Sequence, residues 1–214
     1  MPAEIDVRPY RAGDETGLLA VWTNAVWADP VDPVTWRGRY LLDPNFAPET
    51  TPVAIDPATG EVVGFVHGYV ERSPSGSGSD AWVVAFGVRE DRRREGIGTA
   101  LMRAFESEAR SAGASRVLYG PYIPSYLTPG IDVNAYAGAV AFLNATGATE
   151  GGRPLSMKAN LTNYRVERHV EDHEADLVGE GIAIRRAEPT DILPLIAFLE
   201  AQFPHWKPDA IGVM

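Results

Sequence analysis

The stretch REDRRREGIGTALM, residues 89–102, sets four arginines and three acids directly before Gly96-Ile97-Gly98, then starts an apolar helical pattern. Such a turn suits an anion. The first N–H groups of a helix have no partner inside it, and they lie at the positive end of the macrodipole. Gly96 and Gly98 omit the side chains that would keep a phosphate away from those groups. Arg92, Arg93 and Arg94 add whole charges suited to a pyrophosphate. The bare R-x-x-G-x-G spacing recurs by chance, and a solvated basic turn is its plainer reading. Its setting says more. The apolar run AWVVAFGV (81–88) precedes it and an amphipathic pattern follows. A Walker lysine and the third glycine of a dinucleotide fingerprint are both missing, which argues against a nucleotide phosphate-binding protein.

The elements around this turn follow from periodicity. IDVRPY (5–10) reads as a strand, and Leu18, Leu19, Val21, Trp22, Ala25 and Val26 give the next segment a helical stripe. A proline-punctuated stretch follows, with a short helix around 34–42. TPVAID and EVVGFVHGYVER, joined by PATG, predict an antiparallel hairpin, and AWVVAFGV predicts a strand whose Gly87 marks a bulge or close approach. Ile97, Leu101, Phe105 and Ala109 predict a helix closed by Gly113. SRVLYGPY (115–122) predicts a strand, 134–145 a second helix, and PLSMKANLTNYR (154–165) a closing strand. Only the connection from 81–88 to 115–122 has the length of a parallel crossover, so the expected fold is α/β, a mixed sheet flanked by helices.

VVAFGVREDRRREGIGTALM resembles the acyl-CoA-binding segment of GNAT-type N-acyltransferases, with Arg93-x-x-Gly96-x-Gly98 matching their Q/R-x-x-G-x-G/A pattern. The element order over 5–163 is similar to the GNAT fold, a central mixed β-sheet flanked by helices. The resemblance implies that backbone amides of 93–98 hold the pyrophosphate of acetyl-CoA or another acyl-CoA. It implies that the strand ending at Val88 pairs with the pantetheine arm. The implied co-substrate-binding positions are Val88, Arg93, Arg94, Glu95, Gly96, Ile97, Gly98 and Thr99. The implied activity is direct acyl transfer to a primary amine, on a small molecule or a peptide, with no metal. The later helix departs from the family pattern N-x-x-A-x-x-x-Y-x-x-x-G-F. Aligned on Gly147, Tyr136 stands at the Asn position, Ala139 matches, Leu143 replaces the general-acid Tyr and Ala148 replaces the Phe. Leucine cannot donate a proton, and strand 81–88 carries no Glu to serve as base. Either other groups serve, or the chain is a non-catalytic acyl-CoA-binding module or the structural half of a tandem protein.

Other chemistry-bearing residues carry plainer readings. Tyr119, Tyr122 and Tyr126 could supply a replacement phenol, though loop packing is the simpler role. His67, on one face with Phe65 and Tyr69, reads as a core histidine before it reads as a base. His169 and His173 stand at i,i+4 in an acidic stretch, where a solvated face outweighs a metal site. Trp22, Trp27 and Trp36 read as core, with Trp27 and Trp36 flanking a loop that could roof an acceptor pocket.

One repeat shapes the domain reading. VRPYRAGDETGLLAVWTNA (7–25) is similar to IRRAEPTDILPLIAFLEAQFP (184–204): strand, arginine, acidic helix start, aliphatic helix. The expected organisation is a GNAT-like domain over 1–163, an acidic connector over 164–181 and an incomplete second repeat over 182–214. That order resembles tandem, mycothiol-synthase-like members of the family.

Composition bounds the rest. The 214 residues carry a net charge of -10, which disfavours nucleic acid and anionic membranes and favours cationic partners. There is no cysteine, hence no disulfide or thiolate site, and MPAEIDVRPY lacks the basic and apolar regions of a secretory leader. A cytoplasmic protein is expected, and a homodimer stays open. Only two of the 19 basic residues, Lys158 and Lys207, are lysine. That bias suggests a bacterial source.

Overall fold

A computed structural model describes residues 5–70, 79–122, 128–155, 157, 159–207 and 210. The chain divides into two compact units, Met1–Pro154 and Leu155–Met214. The first unit holds a five-stranded sheet in the order β1 (Asp6–Pro9), β2 (Pro52–Ile55), β3 (Val62–Val70), β4 (Ser79–Val88) and β5 (Ala114–Tyr119). Neighbours are antiparallel except β4 and β5, which are parallel. Helix α3 (Ile97–Ser111) makes that crossover, as its length predicts.

Helices cover both faces of the sheet, which is why every residue of β3 is buried. On one face α1 (Glu15–Ala25) packs Leu18, Leu19, Val21 and Trp22 against Phe65 and Tyr69. A short helix, α2, joins that cluster. It is α-helical over Pro33–Thr35, continues as a π-helix over Trp36–Leu41, and contributes Trp36 and Tyr40. On the other face α3 buries Ile97, Leu101, Met102, Phe105 and Ala109, the predicted stripe, at about 1.5–3 kcal/mol for each large side chain. Gly68 allows this fit, since a Cβ there would lie 2.6 Å from the Phe105 ring and 2.2 Å from the Trp82 carbonyl oxygen. Helix α4 (Ala137–Ala145) adds Leu143 to the same cluster. Gly113, just past α3, adopts φ +91°, the left-handed closure its position predicts.

Strand β4 carries a bulge. His67 of β3 pairs with Ala85 and Gly68 with Val83, so Val84 is an extra residue. Consequently Val84 and Ala85, adjacent in sequence, both lie in the cluster on the α1 face, while Val83 and Phe86 lie in the cluster on the α3 face.

The second unit contains α5 (Arg168–Gly179) and α6 (Ile192–Gln202). Two sequence expectations fail in it. PLSMKANLTNYR forms no strand among its described residues, and Leu155, Met157, Leu161 and Tyr164 are exposed. Its alternation is real, but a period-two pattern makes a strand only when an edge pairs with it. The stretch after Gly181 likewise forms no strand. One local arrangement is nonetheless common to the stretches 7–25 and 184–204. Arg8 grips both Asp14 oxygens at 2.7 and 2.8 Å, and Asp14 also accepts the Arg11 N–H at 2.7 Å. Arg185 grips both Asp191 oxygens at 2.6 and 2.8 Å, and Asp191 accepts the Glu188 N–H at 2.8 Å. The same fastener thus precedes α1 and α6. Among the described residues, no helix is long and apolar enough to cross a membrane.

Candidate active site

The turn from β4 into α3 is built by arginines that fold back onto the protein. The Arg89 N–H extends the β3–β4 ladder to the Val63 oxygen at 2.9 Å, while its side chain binds Glu61 and Asp91. Arg92 lies against Glu95 at 3.0 Å and against Asp56 in the β2–β3 turn; Glu95 first, then Asp56, stabilise its charge. Arg93 donates from Nε to the Val88 oxygen at 3.1 Å. Arg92 therefore braces the loop, contrary to the expectation that it faces the ligand. Arg94 is exposed and makes no ion pair among the described residues.

Arg94 at φ +69° and Gly96 at φ +85° turn the chain through the left-handed region on either side of Glu95. The backbone N–H groups of Arg92 and Arg93 bond to the Arg89 and Glu90 oxygens, and that of Ala100 bonds to the Gly96 oxygen. Between them, the N–H groups of Arg94, Glu95, Gly96, Ile97, Gly98 and Thr99 have no acceptor among the described residues. Six consecutive free donors at a helix start, with a left-handed turn, form a concave nest for an anion. A Cβ on Gly96 would meet nothing within 4 Å, so its open side faces free space. Gly98 differs: its Cβ would rest 3.7 Å from Phe142 and 3.8 Å from Val88, an ordinary contact.

Behind the nest, β4 and β5 diverge. Their pairing ends at Val83–Tyr119, followed by one bond of 3.2 Å from the Gly120 N–H to the Val83 oxygen. Gly120 sits at φ +128°, and a Cβ there would lie 2.9 Å from the Gly130 Cα. Past the bulge, residues 84–88 keep β3 on one side and have no β5 partner on the other. The opening is a small cleft, partly open to solvent, whose lining includes residues 83–86, Tyr119, Gly120, Ala25, Val26, Asp29 and Tyr136. Gly87 is a close-approach point, because a Cβ there would lie 2.6 Å from that of Ala25.

Two polar groups in the cleft are tied together. The Tyr136 hydroxyl donates to Asp29 Oδ2 at 2.8 Å and accepts the Ala28 N–H at 2.9 Å. Burial first, then the Asp29 hydrogen bond, raises the phenol well above its ordinary range. Tyr136 is thus held protonated. Sequence reasoning passed over Asp29 entirely, since its partner lies 107 residues away and WADP carries no motif.

The remaining candidates fall as follows. His67 is fully buried, bonded to Thr51 Oγ1 at 2.9 Å and the Tyr69 hydroxyl at 3.1 Å, and burial pushes its pKa down to about 3. It is a neutral core residue. Tyr122 is buried, donating to Asp43 at 2.9 Å and accepting from Asn45 at 2.7 Å. Tyr119 reaches the cleft, with its hydroxyl 3.7 Å from the Met102 sulfur and its pKa raised chiefly by burial. Tyr126 lies outside the described residues. Leu143 is buried in the α3-face cluster and does not line the cleft. Trp22 and Trp36 are fully buried, whereas Trp27 is 62% exposed and sets its ring edge-on to Tyr136 at 6.3 Å. His169 and His173 are exposed on α5, and no group of three or more metal-ligating side chains occurs among the described residues.

The family model "Acetyltransferase (GNAT) family" matches residues 19–121. Solved structures share the fold. A GCN5-related glucosamine N-acetyltransferase region of a fungal multi-domain GH3 beta-N-acetylglucosaminidase superposes with a TM-score of 0.73 at 24% identity, over 97% of this chain and 24% of that one. The chain therefore spans about a quarter of that protein's length. An aminoglycoside acetyltransferase from an uncultured soil metagenomic sample, solved with sisomicin, gives 0.53 at 17% identity, over 74% of this chain and 97% of that one. An acetyltransferase of Trypanosoma brucei gives 0.50 at 17% identity, over 73% and 100%. No curated protein matches the chain by sequence. Family match and architecture agree: the unit ending at Pro154 has the fold of these acetyltransferases, and its residues 19–121 are similar to the GNAT family.

Proposed function

We propose that this unit transfers an acyl group, acetyl from acetyl-CoA in the first instance, directly to a primary amine on a small molecule or peptide. The observation that carries the reading is the run of six free N–H groups at 94–99, set at the end of a strand that has parted from its neighbour. On this reading the pyrophosphate of the donor lies on that nest. Arg93 and Arg94 stand beside it, and Thr99 lies in the first turn of α3. The open edge of β4, down to Val88, receives the pantetheine arm as an added strand would be received. The donor supplies a thioester. The neutral amine nitrogen forms a C–N bond to its carbonyl carbon and sheds a proton to solvent, the C–S bond breaks, and the sulfur leaves as thiolate. Main-chain donors at the bulge of β4 polarise the carbonyl. Tyr119, in the cleft, is the phenol best situated to return a proton to sulfur.

A second reading has its own support. Leu143 offers no acid, and the Arg–Asp fastener before α6 repeats the one before α1. Both fit the donor-binding half of a tandem protein whose second copy starts near residue 182. Calorimetric titration with CoA, followed by thiol release from acetyl-CoA over a panel of amines, separates the readings. Binding with release supports the transferase, and binding without release supports the half-module. Absence of CoA binding sinks both.

A further inference from the structure

The cleft holds one carboxylate that the donor does not need. Asp29 is half-buried at its edge and accepts from the hydroxyl of Tyr136, at the start of α4, which in turn accepts the Ala28 N–H. Only Oδ2 is engaged; Oδ1 has no partner among the described residues. Two residues before it Trp27, 62% exposed, sets its ring edge-on to the same Tyr136. A half-buried anion with a free oxygen, sharing Tyr136 with an open indole, forms an incomplete pair, and a cation bearing hydrogen-bond donors completes it. The rest of the lining is mostly apolar or small, Ala25, Val26, Val84 and Phe86 among it; Tyr119 and Thr128 add hydroxyls, but among the described residues no lysine or arginine lines the cleft to pair with the anion.

We propose that Asp29, with Tyr136 as its positioning residue and Trp27 on the same tyrosine, is the seat of the acceptor's ammonium group. The occupant is a primary amine that arrives protonated, its carbon body lying on the indole. The proposal rests on the acyl-transfer reading above and adds the acceptor's half of the site. Tyr136 acts through Asp29: its hydroxyl directs the carboxylate and anchors the 26–29 turn to α4.

The test uses the full chain loaded with CoA or acetyl-CoA. The ammonium probes are propylamine, ethanolamine, glucosamine and sisomicin, with glucose as the neutral control. Calorimetry reads binding and thiol release reads turnover. The wild type should take at least one ammonium probe and reject glucose. Asp29→Asn, close in shape but uncharged, should raise the amine KM or Kd roughly tenfold to a hundredfold while leaving the CoA Kd within about twofold. Asp29→Glu should recover part of the loss. Tyr136→Phe should raise the amine KM by less than Asp29→Asn does, with kcat nearly unchanged. A protein that merely lost its fold would fail in CoA binding and in thermal melting alike. CoA binding together with no response to any ammonium probe overturns the proposal. An amine KM indifferent to Asp29→Asn overturns it too. Failure of CoA to bind the wild type strikes the donor reading instead.

Discussion

Replacing Gly96 by alanine separates backbone strain from ligand exclusion. Gly96 sits at φ +85°, and an L-residue held in the left-handed region costs about 1–2 kcal/mol. Nothing lies within 4 Å of the added Cβ, so no clash adds to that figure. In a domain of this size each kcal/mol lowers Tm by roughly 2–4 °C, and the variant should stay folded with a Tm a few degrees lower. Its methyl group would occupy the open side of the nest, where a phosphate would meet the N–H groups. Losing one charge-assisted hydrogen bond costs roughly 1.5–3 kcal/mol, so the CoA Kd should rise about tenfold to a hundredfold. Gly98→Ala is the control. Its methyl would rest on Phe142 and Val88 at ordinary distances, away from the nest, and alanine favours a helix by up to about 1 kcal/mol. It should keep or raise Tm and bind CoA within about threefold. Calorimetric titration beside thermal melts reads both. A folded Gly96→Ala with wild-type CoA affinity, or equal losses in the two variants, would refute the nest.

Further outcomes follow from residues already described. Because His67 is held neutral with its pKa down at about 3, the unfolded chain binds a proton there below about pH 6.5 while the folded chain does not. Stability should therefore fall on acidification between those values, by up to about 1.4 kcal/mol per pH unit, and His67→Gln should flatten that slope in urea melts. Leu143→Tyr, which would restore the family's residue type, should instead overpack the α3-face core and lower stability by about 1–3 kcal/mol without raising turnover; faster thiol release from a stable variant would contradict this. Asp191→Asn should speed hydrogen exchange in the first turn of α6, and Asp14→Asn should do the same for α1. The effect should be larger at Asp14, whose pair is far less exposed.

The parts of the fold carried by local spacing were legible. Ile97, Leu101, Phe105 and Ala109 mark α3 because a helix buries one stripe whatever lies beneath it, and Gly113 marks its end because few other residues turn that way. The β2–β3 hairpin follows from two β-rich runs around a short turn. The parts that depend on distant partners were not. The alternation in 154–165 gives a strand's face but no edge to pair with. The acidic run 166–181 reads as a connector, yet α5 forms there with no buried residue. Within the site, the run of arginines announces positive charge but not which of them turn inward; Arg92 does, through Asp56 and Glu95. Asp29 and Tyr136 meet only after α1 and α4 are both in position.

The split between β4 and β5 divides the labour of the site in a way that bears on how such a chain could change. On the proposed reading one co-substrate is recognised by peptide groups of β4 and of the 94–99 turn, which every residue type carries. Side chains there can be exchanged widely, provided the bulge and the left-handed turns survive. The other co-substrate meets side chains from the 26–29 turn and from α4, where a single replacement alters what is accepted. Donor use would then be slow to drift and acceptor choice quick, and a search for new activities would do well to vary residues 26–29 and 136–139 while leaving 84–99 alone.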